Sequence, residues 1–192
     1  MNKLFIYSKI ASCAVFLIAI VQILHLIISV AHNDPTLSSA PSIVNWNTNW
    51  VFHPSILIWF GLIAMCSVKG SSLKLPSFLG VVFSIIPLIL HIIIIIVKVN
   101  IDTLLILNKL INICDICVGI GFIWISRFFN RSLVKVLAII FGVILIISSI
   151  YYCIPIAVSK SNLATVQWAS LFPIIARYIA LAMFLFFFSK SK

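Results

Sequence analysis

The side chains most capable of chemistry lie in the stretch NKLINICDICVGIG, residues 108–121. It places Lys109, Asp115 and a Cys-x-x-Cys (Cys114, Cys117) inside an otherwise apolar run. Three chemistries fit these residue types. A Cys-x-x-Cys exchanges disulfides when a helix N-terminus or a cation stabilises one thiolate. An acid and a base embedded in an apolar helix can hold an ion or a polar solute. The acid can also simply pair with a base on a neighbouring helix and serve packing alone.

The redox reading is the weakest of the three. The cysteine pair falls in the middle of the run, Asp115 between them opposes a thiolate, and there is no second pair. Cys13, Cys66 and Cys153 are scattered through other apolar runs, so a disulfide framework is not expected. No further ligands stand at zinc spacing, and no metal site is expected. His25 and His91 fall at similar depth on separate helices, as a bis-histidine haem requires. Nothing else specifies a haem pocket, and no cofactor is expected.

The elements that must position Lys109 and Asp115 follow from composition. Hydrophobic residues make up 64% of the 192 positions and charged residues only 8%. A soluble domain is nearer half apolar and a quarter charged, so lipid must solvate most of this chain. The formal charge of +10 would suggest nucleic acid in a soluble protein. Here the bases sit in short clusters between apolar runs, which is the pattern of membrane topology, and no nucleic-acid partner is expected. The only acids are Asp34, Asp102 and Asp115, which argues against a paired-carboxylate hydrolase. No catalytic triad or phosphate-binding loop is present either, which argues against an enzyme and means that any use of ATP would need a partner subunit.

The expected fold is all-α: a polytopic bundle of six transmembrane helices in one membrane domain. The spans are placed at about 8–31, 52–68, 76–98, 103–126, 133–155 and 165–188. The segment 32–51, rich in Pro, Ser and Asn, reads as an external loop. Lys3, Lys9, Lys69, Lys74, Arg127, Arg131, Lys135, Lys190 and Lys192 all fall on one side of these spans. The positive-inside rule then makes both termini cytoplasmic. The first apolar run is about twice the length of a signal peptide's apolar core, so it reads as a retained span.

Residues three and four apart share a helix face. By that rule the fourth span carries Asn108, Asn112, Asp115 and Gly119 on one stripe, with Lys109 beside it. The first carries Gln22, His25, Ser29 and His32. The third carries Gly80, Ser84, Pro87 and His91, and the sixth Gln167, Ser170, Pro173 and Arg177. Polar groups in hydrocarbon are costly unless they find partners, so the stripes are expected to face one another. Asp115 and Arg177 fall near the centres of their spans and are expected to pair. The segments SIIPLILH (84–91) and SLFPIIAR (170–177) share the pattern Ser-x-x-Pro-x-x-x-base, a hint of an inverted repeat.

The function expected from this pattern is a small-solute or ion transport component, or a membrane-embedded binding subunit, with a polar pocket open to the outside. Its candidate binding residues are Asp115, Lys109, Arg177, His25, His91, Asn112, Gln22 and Ser170. An anionic or zwitterionic solute would suit the basic bias. The alternatives are an accessory or protective membrane protein with no substrate, and a redox or haem-binding membrane protein. Richness in Ile, Asn and Lys fits an AT-rich genome, and the expected location is a bacterial inner membrane.

Overall fold

The computed structural model describes residues 2–32, 42–67, 71–97, 100–154 and 163–190. Within them the chain forms six helices and no strand. These are α1 (Asn2–Ala31), α2 (Ser42–Cys66), α3 (Lys74–Ile96), α4 (Ile101–Ser126), α5 (Ser132–Cys153) and α6 (Leu163–Ser189). A helix satisfies its backbone internally, which is what an apolar solvent demands. Five of the helices are long and apolar enough to cross a membrane: α1, α3, α4, α5 and α6. Large apolar side chains such as Ile10, Leu17, Phe78, Ile106 and Ile147 point outward from them. The chain is thus an apolar helical bundle of the kind a multi-pass membrane protein forms.

α2 departs from the expected span. It begins at Ser42, so residues 42–51, read from sequence as loop, are helical. Asn45, Asn47, Thr48 and Asn49 lower the hydropathy of that segment, yet helix formation requires only unbroken backbone pairing. The apolar part of α2 is confined to Val51–Cys66, shorter than the apolar stretches of the other five helices. Packing accounts for this. Phe52, Ile56, Trp59, Phe60 and Ile63 recur at helical spacing and are all buried, and among the described large apolar side chains of α2, from Val51 onward, only Ile58 and Met65 are exposed. A helix enveloped by its neighbours has little surface left for lipid.

Each helix packs against the next, and α1 packs closely on α6, so the six close into a ring. The α4–α5 contact needs glycine on both sides. A Cβ on Gly119 of α4 would lie 2.7 Å from the Gly142 carbonyl oxygen of α5, and one on Gly142 would lie 2.6 Å from that of Gly119. α1 meets α6 through small residues, and the Ser12 hydroxyl donates to the Ala182 carbonyl at 2.8 Å. The ring's centre is filled with aromatic rings. Trp59 stacks on Phe122 with centroids 4.9 Å apart, and Phe141 and Phe184 meet Phe122 edge-on.

Candidate functional site

Above this aromatic layer, on the side away from the termini, lies a cavity of about 410 Å³. Its polar wall comes from five helices: His53 of α2, His91 of α3, Asn108, Lys109, Asn112 and Asp115 of α4, Tyr152 of α5, and Arg177 and Tyr178 of α6. The level is set by sequence. Asp115 and Arg177 are each the fifteenth residue of their helices, and both helices start from the same end of the bundle. At 1.5 Å per residue they fall at matching depth.

Asp115 is 1% exposed and lies between two bases. Arg177 Nη1 stands 3.5 Å from Asp115 Oδ2, and His53 Nδ1 stands 3.7 Å from Oδ1. Both contacts are longer than a charge-assisted hydrogen bond. The Arg177 guanidinium also lies 5.0 Å from the centre of the Phe52 ring, so the aromatic floor supports the cation on its face. His53 is buried, and its ring centroid is 5.2 Å from that of His91. The His91 Nδ1 donates to the Pro87 carbonyl at 2.7 Å, which holds the imidazole one turn above the proline. Lys109 is exposed, about a turn and a half beyond Asp115 toward the opening.

Of the residues read from sequence, Asp115, Lys109, Arg177, His91 and Asn112 line this one cavity. The Asp115–Arg177 pair is formed. The two segments that share Ser-x-x-Pro-x-x-x-base deliver both their bases, His91 and Arg177, to the same wall. Gln22 and His25 lie elsewhere on α1 and are not among the lining residues. Gln22 is buried, because it continues the inward face Ser8, Ala11, Ser12, Val15 and Ala19 that packs into the bundle, while His25 is half-buried. The Ser170 side chain lies outside the described residues. His91 has the His53 ring beside it, and His25 is not among the residues that line its cavity.

His53 and Tyr152 escaped the sequence reading. A span starting at 52 leaves His53 at the membrane surface, whereas a helix starting at Ser42 carries it deep into the bundle. The usable signal was the base at 53 directly before Pro54, echoing the proline-base pairs of α3 and α6. Cys114 is buried, Cys117 is half-buried, and both are free thiols outside the lining. No group of three or more potential metal ligands occurs among the described residues.

The arrangement can hold a small polar molecule by charge. Four basic side chains confront a single carboxylate, which Arg177 already faces at close range. No protein-family model, curated protein or solved structure matches the chain.

Proposed function

We propose that this chain is an integral membrane component that captures a small anionic or zwitterionic solute from outside the cell, as a transporter or as the binding subunit of one. One observation carries the reading: an open polar cavity within an apolar bundle, with His53, His91, Lys109 and Arg177 set against Asp115 alone. Lys109 at the opening and Arg177 at the base give a solute's negative group two points of attachment. Asp115 would meet the ammonium of a zwitterion.

The outward direction rests on charge. Lys3, Lys9, Lys74, Arg127, Arg131, Lys135 and Lys190 are all exposed at the end that carries the termini. By the positive-inside rule that end is cytoplasmic, in the plasma membrane of a bacterium, and α2 serves as the sixth span. The aromatic layer closes the cavity toward the cytoplasm, so passage would require the helices to rearrange. Pro54, Pro87 and Pro173 interrupt backbone pairing in three of the lining helices and give them places to bend.

The test is thermal unfolding of detergent-purified protein with acetate, methanesulfonate, sulfate and glycine, and with ethylammonium as the cationic control. A midpoint raised in a saturable manner by one or more of the anions or by glycine, and not by ethylammonium, supports the reading. No shift with any of them, or a shift with ethylammonium alone, overturns it.

A further inference from the structure

Capture of a simple anion by Lys109 and Arg177 leaves the buried His53–Asp115 pair beside them without a role. Neither oxygen of Asp115 has a hydrogen-bond partner among the described residues. A carboxylate so deeply buried is costly unless it is bonded. The His53 imidazole faces it at 3.7 Å, about 1 Å beyond a charge-assisted bond, and is itself only 2% exposed.

We propose that the cavity takes up a proton together with its anion, and that the His53–Asp115 pair holds the proton. This rests on the reading of the cavity as an anion site. The coupling comes from Arg177, which both negative groups must share. In the empty cavity a proton on His53 would sit beside Arg177 and against His91, with only Asp115 to oppose that repulsion. An anion attached to Arg177 and Lys109 adds a second negative charge and draws the guanidinium away from Asp115. A protonated His53 then replaces what Asp115 loses, and a shift of about 1 Å closes an N–H···O bond to Oδ1. The chemistry is simple proton transfer: the imidazole lone pair takes a proton from a buffer acid in the cavity water, and no other bond changes in the protein.

The other titratable groups facing this pair are His91 from α3, Lys109 from α4, Tyr152 from α5, and Arg177 and Tyr178 from α6. From α1, Tyr7 approaches the Ser55 carbonyl, two residues beyond His53. Among them His91 is the one other imidazole, and therefore the competing site for the proton.

The experiment is titration calorimetry of the purified full chain with acetate and with methanesulfonate, near pH 7, in two buffers of different ionisation enthalpy. Neither probe titrates in this range, so a buffer-dependent heat counts protons taken up by the protein. The expected result is about one-half to one proton per anion, with affinity falling by up to about tenfold per pH unit as pH rises. His53→Gln should cut the uptake by at least two-thirds, and His91→Gln should preserve most of it. The wild-type measurement decides the proposal even if a variant does not fold. Binding without proton uptake overturns the proton and leaves anion capture standing. Uptake lost in His91→Gln and kept in His53→Gln overturns the assignment to His53. Failure of both probes, and of the other anions and glycine, to bind overturns the anion reading and this inference with it.

Discussion

Asp115 and Arg177 face each other at 3.5 Å across α4 and α6, close enough for an ion pair and too far for a strong hydrogen bond. Such a pair is held by its position in the bundle more than by its own geometry. Breaking one partner of a buried pair leaves a lone charge, which costs about 3–5 kcal/mol. Asp115→Asn is therefore expected to destabilise the protein by about 3 kcal/mol, the low end, because cavity water reaches the guanidinium. Unfolding in detergent reads this directly. The double change Asp115→Leu with Arg177→Met should recover most of the stability while abolishing anion binding. If the double variant is no more stable than Asp115→Asn, the two residues are not energetic partners.

Gly119 and Gly142 allow α4 and α5 to approach closely enough to fix the level of Asp115. A methyl group on either would meet a backbone oxygen, which cannot turn aside as a side chain can. Gly119→Ala should cost about 1–3 kcal/mol, as overpacking does. Gly61→Ala is the control: a Cβ there meets nothing within 4 Å, and its stability should be unchanged or slightly raised. Equal melting temperatures for the two variants would show that the α4–α5 contact has room to spare.

The helical class, the five long apolar helices and the Asp115–Arg177 pair were legible in the sequence because they follow from hydropathy and from the cost of charge in hydrocarbon. α4 is the clearest case: Asn108, Asn112 and Asp115 follow one another at intervals of four and three on one helix face, and all three line the cavity. α1 shows the limit. Its stripe of Gln22 and His25 obeys the same spacing, but the face it marks is decided by how Ser12 and its small neighbours fit α6, a matter of shape that periodicity does not carry. His53 was hidden for a different reason. Hydropathy locates the lipid-compatible part of a helix, and α2 extends well beyond that part.

Orientation can be tested without any ligand. Single cysteines at 40 or 160, in a background without native cysteines, should react with an impermeant maleimide applied to intact cells. Cysteines at 72 or 130 should react only after the membrane is opened. Labelling at 72 from outside would invert the topology and place the cavity on the cytoplasmic face.

The two cysteines beside Asp115 give a prediction about redox chemistry. Both are free and neither lines the cavity. Replacing Cys114 and Cys117 together with alanine should leave anion binding intact and change stability by no more than about 1–2 kcal/mol, the scale of small core truncations. Loss of binding in a folded double variant would return disulfide chemistry to consideration.

Lys109 separates binding from folding most cleanly. It is exposed, at the open end of the cavity, and no carboxylate among the described residues forms an ion pair with it, so its removal leaves no buried charge behind. Lys109→Ala should therefore shift stability by less than about 0.5 kcal/mol, as an ordinary surface change does. Its effect on an anion should be larger. A charge at the opening both draws the solute in and holds it, and losing about 1 kcal/mol of attraction weakens binding roughly fivefold. Lys109→Arg should restore most of that affinity, since the charge and reach are kept. High salt should narrow the gap between wild type and Lys109→Ala, because the opening is exposed to water and to screening ions. Calorimetry with acetate at low and high ionic strength provides the comparison. An affinity for acetate unchanged in Lys109→Ala at low salt would remove Lys109 from the site and leave Arg177 as the anion's main anchor.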